Sequence, residues 1–149
     1  MKNILLLTVV FVLFTACSKD ETVDYVTKND EQIQAYIAAN NLTAQKSSSG
    51  LYYVIDTPGT GAQPTSTSNV TIAYKGYFLN GTVFDQNANG YTTNLKQVIK
   101  GWTEGITYFK EGGSGILLIP AHLGYGNANY YTIPGGSVLI FDVELLSVN

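Results

Sequence analysis

One helical repeat interrupts a chain that otherwise reads as β-structure from Leu51 to its end. Trp102, Ile106 and Phe109 fall at i, i+4 and i+7, one face of a helix. Gly112-Gly113 stops the pattern, as glycine just past a helix end does. Immediately before it, Val98-Ile99-Lys100-Gly101 carries a β-branched pair into a glycine and the chain's only tryptophan, Trp102. Several strands and one short amphipathic helix bury their apolar faces by packing the helix on a single antiparallel sheet, an α+β arrangement.

The strands around this helix follow from alternation and turn chemistry. Leu51 to Asp56 reads as a strand closed by Pro58-Gly59-Thr60-Gly61, and Ala62 to Ser68 is a Pro/Ser/Thr loop. Asn69 to Leu79 reads as a long strand, Asn80-Gly81 as a hairpin turn, and Thr82 to Asp85 as the returning strand before a Gly/Asn loop. Gly115 to Ile119 is the next strand, closed by Pro120, and a long loop from Ala121 to Gly136 leads to the last, Ser137 to Leu146. In that strand Leu139, Phe141, Val143 and Leu145 share one face, with Asp142 and Glu144 on the other. Upstream, Asn29 or Asp30 can cap a helix that runs to Ala39 and ends at Asn40-Asn41. Ile33, Tyr36 and Ile37 share a face of it, so it should pack on its own domain first, with dimerisation as the second use.

Composition removes many chemistries. One Cys and one His among 149 residues exclude a tetrahedral Cys/His zinc site and any disulfide within the chain. There is no Gly-x-Ser-x-Gly elbow for His122 to serve and no phosphate-binding Walker loop. Every basic residue is lysine and the net charge is −3, which argues against a nucleic-acid partner. Asp85-x-Asn87-x-Asn89-Gly90 opens like a calcium loop, but its twelfth position is Lys96. No metal and no cofactor are expected. What remains is an aromatic floor, Trp102, beside the Ile99 backbone N–H, which precedes the first turn and has no intrahelical partner. Such a floor and donor seat an apolar ring attached to a carbonyl, as proline is.

The first residues read as an address. Met1-Lys2-Asn3 is followed by an apolar run from Ile4 to Phe14, broken only by Thr8. That run is shorter than the about 20 residues a spanning helix needs, and it fits a signal peptide. Its end, Leu13-Phe14-Thr15-Ala16-Cys17, resembles a bacterial lipobox, so Cys17 is the expected lipidation site and the chain is expected on the cell envelope. Ser18 after the cysteine resembles outer-membrane sorting. The expected division is a signal peptide at 1–16, a flexible tether at 17–29, a helix and connector at 30–49, and the main folded domain at 50–149.

Tyr74-Lys75-Gly76, Gly81-Thr82-Val83-Phe84-Asp85, Val98-Ile99-Lys100-Gly101-Trp102, Tyr125-Gly126, Ile133-Pro134 and Phe141-Asp142-Val143-Glu144-Leu145 together resemble the FKBP-type peptidyl-prolyl isomerases over roughly residues 50 to 149. The resemblance implies a strongly bent antiparallel sheet wrapped around one short amphipathic helix, here with an extra N-terminal helix. It implies a pocket with Trp102 as floor, Tyr74, Phe84 and Phe141 as walls, and Val98, Ile99 and Ile133 completing the lining. The Ile99 amide and the Tyr125 hydroxyl would each hold a substrate carbonyl, Asp85 would lie near the twisting amide, and Tyr91 falls where the family has another aromatic. Partners implied are proline-containing polypeptides, with macrolides as inhibitors. The alternative is a pocket that grips proline segments without useful turnover, or one closed by Tyr130 or Tyr131.

Four features depart from the family pattern. The arginine that often partners the pocket aspartate is absent. The segment between Asp85 and Val98 is short, with Thr93 at a position usually aromatic. Gly135 replaces the second proline of an Ile-Pro-Pro turn, and the loop Asn127-Ala128-Asn129-Tyr130-Tyr131 is unusual.

Overall fold

The computed structural model describes residues 23–149. The expected signal peptide and the expected lipidation site, Cys17, lie outside the described residues. Helix α1 spans Tyr25–Ala39. The strands are β1 (Gln45–Lys46), β2 (Tyr52–Thr57), β3 (Asn69–Tyr77), β4 (Val83–Asn94), β5 (Ser114–Ile119) and β6 (Leu139–Val148), and the short helix α2 spans Lys100–Gly105. The strands form one antiparallel sheet in the order β1-β2-β5-β6-β3-β4.

The sheet is covered on both sides along part of its length, so β5 ends Ile116-Leu117-Leu118-Ile119 and β6 opens Leu139-Ile140-Phe141 without a polar break, whereas Asp142 and Glu144 further along β6 are exposed. Leu117 and Ile119 in β5, with Leu139, Phe141, Val143 and Leu145 in β6, face a core that also holds Trp102, Ile106 and Phe109. Leu118 and Ile140 point the other way, into a second cluster with Ile33 of α1, Tyr52 and Val138. Tyr36 and Ile37 pack against that second cluster, so α1 packs on its own domain as its apolar face requires. Register shifts interrupt the ladder at Ile55/Thr57, Thr71/Ile72, Ile72/Tyr74 and Gly76/Tyr77. Such irregularities bend and twist strands.

Three expected boundaries change by more than two residues. Helix α1 starts at Tyr25, capped by Asp24, whose carboxylate accepts from the Val26 and Thr27 amides at 3.0 and 3.3 Å. Asn29 is therefore not a cap but a buried helix residue, and residues 25–29 are helix rather than tether. The segment after Asp85 is not a loop: β4 continues to Asn94, paired with β3. Asp85, Asn87 and Asn89 therefore lie on a strand, not in a calcium loop. The α-helix at Trp102 also ends early, at Gly105, with a tighter turn from Ile106 to Tyr108 and Phe109 already extended. Phe109 still reaches the core.

Candidate functional site

The cleft lies where α2 meets the sheet, and β3 and β6 bring its walls together. Gly76 of β3 sits opposite Phe141 of β6 and Asp85 of β4. A side chain at Gly76 would meet the Phe141 and Phe84 rings at 2.7 Å, so the absent Cβ lets both rings close over the strand. On the helix, Gly101 and Gly105 stand one turn apart, against the side chains of Ile119 and Leu117 of β5. This close approach seats Trp102 low, 4% exposed, as the floor.

The aromatic side chains meet edge to face. Trp102 lies 5.0 Å from Tyr74 and 5.3 Å from Phe141, with interplanar angles of 84° and 77°. Phe84 meets Phe141 at 5.4 Å and 86°, and Phe78 backs Phe84 at 4.9 Å. In the Trp102–Tyr74, Trp102–Phe141 and Phe84–Phe141 pairs a ring edge, the positive part of its quadrupole, rests on a neighbour's negative face, which fixes ring orientation beyond simple area burial. The cleft encloses about 660 Å³, and its lining includes every residue expected there: Tyr74, Phe84, Asp85, Tyr91, Val98, Ile99, Trp102, Tyr125, Ile133 and Phe141.

Polar groups occupy the rim. The Tyr74 hydroxyl donates to Asp85 Oδ2 at 2.7 Å. Burial raises the Tyr74 phenol well above its ordinary pKa, and the bond to Asp85 adds to the rise. Burial also raises the Tyr125 phenol, with Tyr130, Asp85 and Tyr91 contributing. Both therefore stay neutral through the physiological range. The Tyr125 hydroxyl has no hydrogen-bond partner among the described residues. The Ile99 amide likewise donates to none of them, while the Ile99 carbonyl accepts from the Trp102 and Thr103 amides. Two unengaged polar groups thus border the aromatic box, and the Nε1–H of its floor, Trp102, is also buried without a partner among the described residues.

Gln97 and Thr132 also line the cleft and were not assigned to the site from sequence, and so do Tyr130 and Tyr131, expected there only as rings that would close the pocket. For the tyrosines the available signal is an aromatic pair in a polar loop. Tyr130 stacks on Tyr125 at 4.7 Å and 12°, and Tyr131 meets Tyr130 edge-on at 4.8 Å. Tyr130 is 49% and Tyr131 92% exposed, so neither ring closes the box, and the rim is an open tyrosine ladder. Gln97 and Thr132 carry no sequence signal beyond being adjacent to Val98 and Ile133. Thr93 is buried and its hydroxyl donates to the Asn94 carbonyl, outside the cleft lining. His122 is also outside it, with Nε2 2.9 Å from the Ser49 carbonyl oxygen.

The departure at Gly135 has a local cause. Its N–H donates to Asn129 Oδ1 at 2.8 Å, a bond proline cannot make, and a Cβ there would strike the Asn127 backbone. The glycine and the unusual Asn127–Tyr131 loop are therefore one adaptation.

A profile of the FKBP-type peptidyl-prolyl cis-trans isomerase family matches residues 60–146. The chain is 47% identical over 107 residues to FKBP-type peptidyl-prolyl cis-trans isomerase FkpA of Buchnera aphidicola subsp. Schizaphis graminum, covering 69% of this chain and 42% of that protein. It is 44% identical over 108 residues to FkpA of Escherichia coli K12, covering 68% and 39%. The chain thus spans less than half the length of these relatives. Among solved structures, FkpA from Escherichia coli superposes with a TM-score of 0.75 at 35% identity, over 83% of this chain and 61% of that one. A peptidyl-prolyl cis-trans isomerase from Pseudomonas syringae gives 0.72 at 26% identity, over 83% and 96%. With the family profile covering residues 60–146 and the fold shared with these solved structures, the chain belongs to the FKBP-type peptidyl-prolyl cis-trans isomerase family.

Proposed function

We propose that the chain is itself a peptidyl-prolyl cis-trans isomerase acting on X–Pro bonds of exported polypeptides. The observation that carries this is the fixed apolar box, Trp102 below and Tyr74, Phe84 and Phe141 around it, with the Ile99 amide and Tyr125 hydroxyl unengaged at its edge. Rotation about an X–Pro bond breaks amide resonance against a barrier of about 18–20 kcal/mol and needs no nucleophile. The twisted amide has lost charge separation, so an apolar box disfavours it less than water does. The Ile99 N–H and Tyr125 O–H would donate to flanking carbonyls and hold the chain in a turn that favours twisting. Lowering the barrier by about 4 kcal/mol would accelerate rotation roughly a thousandfold. The box then binds the transition state more tightly than either planar isomer. Asp85, whose carboxylate accepts from Tyr74, lies beside the reacting amide in this reading, and Tyr91, Val98 and Ile133 bound the proline ring.

The chain is further proposed to be lipid-anchored at Cys17 on the bacterial envelope, with the outer membrane as its site. Support comes from the Leu13–Cys17 lipobox and the apolar run before it. Isomerase activity toward clients is tested by refolding an exported protein whose slow phase is proline-limited. Substoichiometric full chain should speed that phase severalfold, and an unchanged phase at equimolar chain contradicts the reading.

A further inference from the structure

A wholly buried asparagine closes a ring of hydrogen bonds around the loop that carries the rim. Asn29 lies on the inner face of α1 and is 0% exposed. Its Oδ1 accepts from the Ala121 amide at 2.8 Å. The Ala121 carbonyl accepts from the Gly126 amide at 2.8 Å, and the Gly126 carbonyl from the Gly136 amide at 2.9 Å. The Gly136 carbonyl accepts from Asn29 Nδ2 at 3.0 Å, which completes the circuit. Asn29 Nδ2 also donates to Gln32 Oε1 at 3.1 Å, so both its hydrogens are engaged. Buried polar groups held this fully are worth more for uniqueness of geometry than for net stability.

What the ring encloses is functional surface. Residues 121 to 136 carry Tyr125, Tyr130, Tyr131 and Ile133, all in the cleft lining, and Tyr125 immediately precedes a ring member. The same helix touches the far end of the loop a second time. Gly136 has φ +74°, and a side chain there would overlap the Tyr25 ring. Yet α1 lies wholly before residues 60–146, the part that matches the family. We propose that Asn29 is a positioning residue for the isomerase site: α1 sets the Tyr125 rim by bonding both ends of the loop that bears it. This rests on the cleft's reading as a proline-peptide site.

The test pairs kinetics on a short X–Pro peptide with amide hydrogen exchange, using the full chain. Asn29→Ala should raise KM about fivefold or more while kcat changes less than about twofold, because the rim binds substrate whereas the box twists it. Exchange of the Gly126 and Gly136 amides should rise about tenfold or more, the signature of local opening. Ile33→Val loosens the same helix face without touching the ring, and should lower thermal stability with KM and loop exchange at wild-type values. A wild-type KM and wild-type loop exchange in Asn29→Ala, or an equal rise in Ile33→Val, overturns the proposal. If Asn29→Ala does not fold, the wild-type Ala121 amide decides. It should exchange in step with α1, and exchange faster than α1 overturns the brace. If the wild-type chain does not isomerise the peptide, the function reading fails while the exchange arm still decides on the brace.

Discussion

The Tyr74 hydroxyl and the Asp85 carboxylate are joined diagonally across the β3–β4 ladder at 2.7 Å, Tyr74 being opposite Asn87 and Asp85 opposite Gly76. This bond orients the one acidic side chain in the cleft lining, in a chain that has no arginine to do so. Tyr74→Phe keeps the ring against Trp102 and removes only the donor. Because Tyr74 is only half-buried and Asp85 is exposed, the stability loss should be small, under about 1 kcal/mol. Peptide isomerisation should fall about threefold to tenfold, read as kcat/KM. Unchanged kcat/KM would show that the Asp85 orientation is irrelevant to the reaction.

Burial, above all, raises the phenols of Tyr74 and Tyr77, with hydrogen bonds to Asp85 and Asp142 adding to it. A group whose folded value is raised stabilises the fold fully below its unfolded value of 10.0, and that contribution is lost as pH rises beyond it. Urea midpoints should be level through pH 9 and fall above about pH 10. Phenolate absorbance should show part of the tyrosine titration tracking unfolding. Titration of every tyrosine near its free value, with no loss of stability, contradicts this.

Gly76→Ala places a methyl group 2.7 Å from the Phe84 and Phe141 rings. Both rings are packed edge to face, so relief requires opening the box. The expected loss is about 1–3 kcal/mol of stability, as for overpacked cores. Peptide affinity should fall with it, measured by calorimetry at a temperature where the variant is folded. Retained affinity together with retained stability would show that the walls are looser than their geometry implies.

Much of this cleft is legible in the sequence because aromatic and β-branched residues at fixed spacing leave few ways to fold. Trp102, Phe141 and Val143 read correctly as core-facing because period 3.6 and period 2 are both strong there. What is not legible is long-range. Asn29 followed by an acidic pair looks like a helix cap, and only the fold brings Ala121 and Gly136 to its amide. Asp24, the actual cap, is followed by Tyr25-Val26 and then six polar residues, so no apolar period marks the first turns. The second half of β4 has the Asn/Gly composition of a loop, and pairing with β3 overrides that propensity. Tyr130 and Tyr131 reach the rim through a loop whose shape depends on the Asn129–Gly135 bond.

The proposed anchor makes a separate prediction. Cys17→Ser should move the chain from the membrane fraction of its host to the soluble envelope fraction, and remove the mobility shift that acylation causes. Equal membrane recovery of Cys17→Ser and wild type would refute lipidation at this residue.

The central claim is that the Trp102 box accelerates rotation about an X–Pro bond. The direct measurement is the cis-to-trans rate of a short X–Pro peptide against concentration of the full chain, with Phe141→Leu in parallel. The rate should rise linearly with wild-type chain, and kcat/KM of the folded Phe141→Leu variant should be lower by about tenfold. A wild-type rate equal to the uncatalysed rate at every concentration would contradict the claim.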